Sequence, residues 1–192
     1  IPFKSPSKIS KNKKLRILFI GRIEYQKGID ILLDAIIKIS KDNKRERYFF
    51  EIIGDGSLSY LVKESIQENN LKGLLKYRSK SDLPLSHIRR SNIIIHPSRY
   101  EGMSNVVLEA MSYGKCVIST YQASSEIITS NKDGILMKSV SAFEIINCLE
   151  KVSMNRVLLN NIGLNAMTTI KNNYSKERIL KLWSKTFKLI NE

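Results

Sequence analysis

The chain has 192 residues, 42% of them hydrophobic, which suffices for one sizeable core and argues against a second full domain. No stretch approaches the roughly 20 apolar residues that span a bilayer. Lys and Arg outnumber Asp and Glu by 32 to 18, a formal net charge of +14; such an excess attracts polyanions, whether nucleic acid, anionic lipid or a phosphorylated ligand, without choosing among them.

Residues 1–14 are polar, carry Pro2 and Pro6 and show no apolar period, so they are expected to form a linker or the tail of a preceding domain. The start at Ile1-Pro2-Phe3, with neither Met nor a signal-peptide pattern, is expected of a piece of a longer chain. From Leu15 apolar runs of strand length, Leu15–Ile20, Tyr48–Ile53, Asn92–His96 and Cys116–Ser119, alternate with stretches whose apolar residues fall three and four apart. Ile29, Leu32, Leu33, Ile36 and Ile37 mark a first helix, and Leu58, Leu61, Val62 and Ile66 a second. A third, over about Ser104 to Tyr113, is closed by Gly114, a residue suited to a left-handed helix end. After Gly134 the pattern turns mostly helical, through Ala142–Lys151, Asn155–Asn172 and Ser175–Leu189. This alternation predicts an α/β fold, a Rossmann-like parallel sheet with helices on both faces. Cys116, in an apolar run, and Cys148, in a helical pattern, read as buried thiols of a reducing, cytosolic setting rather than as a disulfide.

Ligands of open α/β sheets bind beyond the carboxyl ends of the strands, which singles out four loops: Gly21–Gly28, Gly54–Ser57, His96–Ser104 and Tyr121–Glu126. In the first, Gly21 allows backbone to approach a ligand, Arg22 offers a planar fork and Lys27 a point charge, two ways of neutralising phosphate; a turn with two solvated cations is the alternative. It is not a Walker loop, because no Gly-Lys-Ser/Thr stands at the required spacing. Gly54-Asp55-Gly56 reads equally as a tight turn or a ligand contact. The most informative segment runs Ser98-Arg99-Tyr100-Glu101-Gly102-Met103-Ser104-Asn105-Val106-Val107-Leu108-Glu109-Ala110-Met111. A helix that begins near Ser104-Asn105 leaves its first amides unpaired, which makes an anion site. Glu109 lies about one turn on, displaced by roughly 6 Å at 1.5 Å per residue, where a carboxylate can accept from two vicinal ribose hydroxyls. His87 and His96, two cysteines distant in sequence and no Asp-x-Asp make no metal-ligand set. His96, at a strand end before Pro97, reads as structural rather than catalytic.

These motifs resemble the donor domain of retaining GT-B glycosyltransferases of family four, the glycosyl transferases group 1, which includes sucrose-synthase-like, mannosyl- and bacterial polysaccharide-assembly transferases. Gly21-Arg22 with Lys27-Gly28, Gly54-Asp55-Gly56, Ser98-Arg99-Tyr100-Glu101-Gly102, and the pair Glu101 and Glu109 stand in the family's order, over about Leu15 to Met137 and more weakly to the end. The resemblance implies one half of a GT-B fold, with residues 15–172 binding a nucleotide sugar and 173–192 forming a helix that crosses to an N-terminal acceptor domain absent here, so that this chain alone is expected to be inactive. Leu180, Trp183, Phe187 and Ile190 would be the apolar anchors of that helix.

By the same resemblance Arg22, Lys27 and Glu101 are the catalytic residues: the two cations hold the diphosphate and stabilise the leaving group, and Glu101 contacts hydroxyls of the transferred sugar. Backbone from Gly102 through Met103 and Ser104 to Asn105 approaches sugar and phosphate, Glu109 binds the ribose, and Gly21 and Arg78 complete the donor-binding set. No metal and no cofactor are implied. The acceptor would be a glycan or a lipid-linked sugar in surface polysaccharide assembly, the location cytoplasmic and peripheral at the inner membrane face, with an anionic membrane surface as a further partner and no nucleic acid. Two departures stand out. Gln122-Ala123-Ser124-Ser125 replaces a glycine pair before Glu126, and Tyr77-Arg78-Ser79 replaces Phe-x-Gly at the end of the third strand, leaving open whether Arg78 stacks on a base or is merely exposed. The rival readings are a nucleotide-sugar epimerase of the same fold and a basic polyanion-binding module for nucleic acid or membrane.

Overall fold

The computed structural model describes residues 14–190, the side chains of Lys44 and of residues 188–190 apart. The expected linker at 1–14 therefore lies outside the described residues except for Lys14, as does the Ile190 side chain. Six strands form one parallel sheet: β1 Leu15–Ile20, β2 Tyr48–Ile53, β3 Leu75–Arg78, β4 Ile93–His96, β5 Cys116–Thr120 and β6 Ile135–Met137. Their spatial order is β3-β2-β1-β4-β5-β6. From β1, mid-sheet, the chain winds outward to β3, then returns past β1 to lay down β4 and winds the other way, so the direction reverses between β1 and β4. That is the doubly wound, Rossmann-like arrangement expected from the alternation.

Both faces of each central strand are apolar, as a sheet covered on two sides demands. Ile17 and Phe19 of β1, Ile93 and Ile95 of β4, and Cys116 and Ile118 of β5 point to one face, under α1 (Ile29–Ser40), α2 (Ser59–Glu68) and α6 (Ala142–Met154). Leu18, Ile94 and Val117 point to the other, under α3 (Pro84–Arg90), α4 (Asn105–Ser112) and the later part of α7 (Arg156–Asn173). Cys116 and Cys148 are free, buried thiols in the first of these layers, and burial pushes each up to about 12, so neither is nucleophilic at neutral pH.

Three elements escape the sequence reading. The segment after Gly134 is not all helical, because Ile135–Met137 pairs with Ile118–Thr120 as an edge strand. Three residues carry no readable period; only the exposed edge of β5 recruits them. The seven residues of α3 and the four of α5 (Tyr121–Ser124) are similarly short. α3 starts at Pro84, and its carboxyl end is held by the buried Lys115, whose Nζ donates to the Arg89 and Ser91 carbonyls at 2.8 and 2.9 Å. The last helix, α8 (Lys176–Ile190), stands apart: Leu180, Trp183 and Phe187 are all more than half exposed. A groove of about 420 Å³ opens where α7 turns into α8, lined by Ile170, Tyr174, Ile179 and Leu180. Among the described residues no helix is long and apolar enough to cross a membrane.

Parallel pairing of β1 with β4 sets the loops that follow them side by side, and glycine lets them touch. Gly28 has φ +68°, and a Cβ there would run into the Pro97 carbonyl of the neighbouring loop. Gly54 (φ +147°) likewise lies against the Gly21 carbonyl. The expected outcome for Gly28→Ala is a loss of about 3 kcal/mol in unfolding free energy, left-handed strain adding to a backbone clash. Gly102→Ala, where a Cβ meets nothing within 4 Å, should stay within about 1 kcal/mol of the parent; urea titration of the two variants measures the contrast.

Candidate active site

The reversal between β1 and β4 opens a crevice at the carboxyl edge of the sheet, the place where such sheets bind ligands. Its walls are the loop of residues 21–28, with a 3₁₀ turn at Tyr25–Lys27, and the loop of residues 97–104. They are stitched together by backbone and side chain. The Arg99 amide donates to the Gln26 carbonyl at 2.8 Å, and Gln26 Nε2 returns a bond to the Tyr100 carbonyl at 3.0 Å. The Arg99 guanidinium grips both carboxylate oxygens of Asp30 at 2.9 and 2.7 Å and lies over the Tyr25 ring, 3.6 Å from its centroid. Burial raises the Asp30 carboxyl, but the Arg99 hydrogen bonds and charge outweigh it and hold the group below its ordinary range.

Gly54-Asp55-Gly56 buttresses the first loop from behind. The Ile23 amide donates to the Asp55 carbonyl at 2.9 Å and the Leu58 amide to the Ile23 carbonyl at 3.0 Å, while Glu24 accepts from the Ser57 amide at 3.0 Å. The motif thus has a packing role, as the partner surface of the cationic loop.

At the centre stands an ion pair between Lys27 and Glu101, one from each wall, with side chains 16% and 13% exposed. Glu101 pairs with the cation expected to hold phosphate, so two predicted site residues are brought together as one ion pair. Burial raises the Glu101 carboxyl; the Lys27 hydrogen bond and charge bring it net below the ordinary range. His96, buried at the end of β4, has Nε2 3.7 Å from the same Glu101 oxygen. Burial pushes the imidazole down to about 4, Glu101 opposing and Lys27 reinforcing, so His96 is neutral at pH 7.

α4 begins beside this pair. Ser104 occupies its N-cap without a side-chain hydrogen bond, leaving the helix start with its positive dipole end uncapped by that hydroxyl. Asn105 is exposed, Met103 is 59% exposed, and neither Gly21 nor Gly102 has an atom within 4 Å of where a Cβ would stand. A pocket of about 160 Å³ lies between Glu101-Gly102-Met103 and the segment Gln122–Ile127. The residues that stand where a glycine pair was expected therefore form its opposite wall, as the helical turn α5 capped by Thr120. Glu109, one turn into α4, is half-buried, and its carboxylate has no hydrogen-bond or ion-pair partner among the described residues; burial alone pushes it up. Arg22 is exposed and near Glu24.

Arg78 is exposed at the end of β3 and tethered there. Its Nε donates to Glu51 Oε1 at 3.3 Å, and His87 Nδ1 meets Glu51 Oε2 at 3.2 Å. Glu51, His87, Asp30 and Arg99 are the residues that sequence reasoning did not assign. An acid in the first turn of a helix, such as Asp30, is an ordinary dipole partner, and nothing local couples it to Arg99, 69 residues away. Among the described residues no three His, Cys, Asp or Glu side chains converge as metal ligands.

A family model for glycosyl transferases group 1 matches residues 1–169. An uncharacterized glycosyltransferase of Methanocaldococcus jannaschii, MJ1069, is 30% identical over 183 residues, covering 93% of this chain and 46% of that protein. The UDP-Gal:alpha-D-GlcNAc-diphosphoundecaprenol alpha-1,3-galactosyltransferase of Escherichia coli is 30% identical over 159 residues, covering 81% of this chain and 41% of that protein. A crystal structure of an S. aureus TarM mutant in complex with fondaparinux, alpha-GlcNAc-glycerol and UDP superposes with a TM-score of 0.84 at 24% identity, over 97% of this chain and 38% of that one. The chain spans less than half the length of these relatives.

The depressed Glu101 carboxyl makes a testable contribution to stability. Its pairing energy is fully present above the ordinary carboxylate range and is lost as pH falls through the lowered folded value. Glu101→Gln is expected to unfold more easily than the parent at pH 7 and to converge with it toward pH 3. Urea midpoints across that range give the comparison; parallel curves would mean that the pair contributes nothing to folding.

Proposed function

Because the chain belongs to the glycosyl transferases group 1 family, we propose that it is the donor-binding half of a retaining glycosyltransferase, holding a nucleoside-diphosphate sugar for transfer to a glycan or lipid-linked acceptor. The observation that carries this reading is the facing of a cationic loop and a carboxylate-bearing helix start across the reversal of the sheet, where Lys27 already holds an anion, Glu101. The nucleotide sugar and undecaprenyl-linked acceptor named for the Escherichia coli relative, and the UDP named in the TarM complex, support the choice of substrate class.

In this reading Lys27 and Arg22 meet the diphosphate, and the unpaired amides at the start of α4, over Gly102 to Asn105, face the same group. When the bond from the anomeric carbon to the diphosphate oxygen breaks, negative charge gathers on the leaving oxygen, where cations and amides are worth most. The acceptor oxygen takes its place on the same face of the sugar, its proton passing to the departing diphosphate. Glu101 orients sugar hydroxyls from the pocket beside Met103, and Glu109, partnerless and half-buried, accepts from the ribose. Arg78, steadied by Glu51, stands at the end of β3 to meet the base. Cations and amides do here what a metal does elsewhere, so chelators should not affect binding. The exposed Leu180, Trp183 and Phe187 of α8 are covered by an acceptor domain preceding this one, without which no transfer occurs. The +14 charge suits work at the cytoplasmic face of an anionic membrane.

Calorimetric titration with UDP, GDP, ADP and their sugars tests the reading. Lys27→Ala or Arg22→Ala should weaken diphosphates and sugar donors alike by about 1.5–3 kcal/mol, roughly 10- to 150-fold. Glu109→Gln should weaken ribonucleotides but leave dideoxyribonucleoside diphosphates nearly untouched. Binding that ignores base and ribose and collapses with salt would instead mark a general polyanion surface.

A further inference from the structure

Glu101 is surrounded by more donors than it uses. Lys27 holds it from the facing loop, while His96, at the end of β4, and Ser98, just after it, make no side-chain hydrogen bond of good geometry among the described residues. His96 Nε2, 3.7 Å from Glu101 Oε1, is outside hydrogen-bond range, and it and Ser98 Oγ are buried with no hydrogen-bond partner of good geometry among the described residues. Ser98 is close enough to help keep the Glu101 carboxyl ionised. Both residues are anchored through their backbones, the His96 carbonyl by Ser119 Oγ at 3.0 Å and the Ser98 carbonyl by Thr120 Oγ1 at 2.6 Å. Two rigidly placed donors left unsatisfied beside one carboxylate are unusual, since buried polar groups are nearly always paired.

Resting on the donor-site reading above, we propose that Glu101 changes partners when a diphosphate binds: Lys27 leaves it for the phosphates, and His96 Nε2 and Ser98 Oγ take it over and fix it toward the sugar. A buried carboxylate that lost its only cation would be strongly penalised. Two hydrogen bonds from neutral donors compensate without adding a positive charge that would compete with Lys27 for the diphosphate. His96 fits this part because it is neutral, provided its proton is on Nε2. Diphosphate binding and the orientation of Glu101 are then coupled through Lys27, and His96 and Ser98 are positioning residues that act through Glu101.

The coupling has a signature that a purely structural role lacks. Calorimetry with UDP, and with GDP and ADP in parallel, is run on the parent chain, Glu101→Gln, His96→Leu and Ser98→Ala, and on each of the latter two combined with Glu101→Gln, after thermal melts establish that each is folded. Freed of its competing carboxylate, Lys27 should bind UDP roughly fivefold more tightly in Glu101→Gln. His96→Leu and Ser98→Ala should each weaken UDP, by about tenfold or less, when Glu101 is present. Neither should matter when Glu101 is already Gln, and His96→Gln, which keeps a donor, should restore much of the loss. Unchanged or weaker UDP binding by Glu101→Gln, or equal losses from His96→Leu and Ser98→Ala in both backgrounds, would overturn the exchange. Lys27→Ala separates the two levels. If it weakens UDP while the cycles show no coupling, the donor site stands and only the exchange is wrong; if it has no effect, or none of the nucleotides binds the parent, the donor-site reading falls and the exchange with it.

Discussion

Parallel pairing of β1 with β4 is the constraint on which the crevice depends. These strands are neighbours in space but not in sequence, Ile17 opposite Ile93 and Leu18 opposite Ile94, so the loops that leave them must run shoulder to shoulder. Every cross-loop contact follows from that juxtaposition: the approach of Gly28 to Pro97, the clamp of Arg99 on Asp30, the exchange of hydrogen bonds between Gln26 and the Arg99–Tyr100 backbone, and the Lys27–Glu101 pair. Placed on separate strands of another order, the same residues would be solvated surface.

The electrostatics of the crevice centre on one ion pair flanked by further positive charge. Lys27 and Glu101 are both largely removed from water, a costly arrangement for either alone and tolerable for the pair. The uncapped start of α4 adds partial positive charge alongside, and Arg22 extends the cationic wall into solvent. Glu109 is the exception, a carboxylate raised by burial and without a cation partner among the described residues. That separates its chemistry from the charge-neutralising group and suits it to accept hydrogen bonds from neutral hydroxyls.

The chain's excess of +14 is spread unevenly between paired and unpaired cations. Several cations are committed to local partners, Lys14 to Glu46 at 2.6 Å and the buried Lys115 to the end of α3, whereas α8 carries Lys176, Arg178, Lys181 and Lys185 along a helix whose apolar side chains are uncovered.

Much of the architecture was legible in the amino-acid order. Leu15–Ile20 and Tyr48–Ile53 were readable to the residue, and the helical spacings of Ile29 to Ile37 and Leu58 to Ile66 fell on α1 and α2, because burial imposes a local period that any covered strand or helix must carry. The four strand-end loops followed from the strands so placed, whereas the order of their motifs was legible only through the resemblance to the glycosyl transferases group 1. What the tertiary structure alone decided was partnership. That Lys27 meets Glu101 74 residues on, that Arg78 is tethered to Glu51 and His87, that Asp30 anchors Arg99, that β6 exists, and that His96 and Ser98 point unpaired at one carboxylate all depend on the strand order and the loops it brings together. Periodicity reports whether a residue is buried; it holds no information about which distant residue lies across the crevice, since that is set by where the sheet reverses.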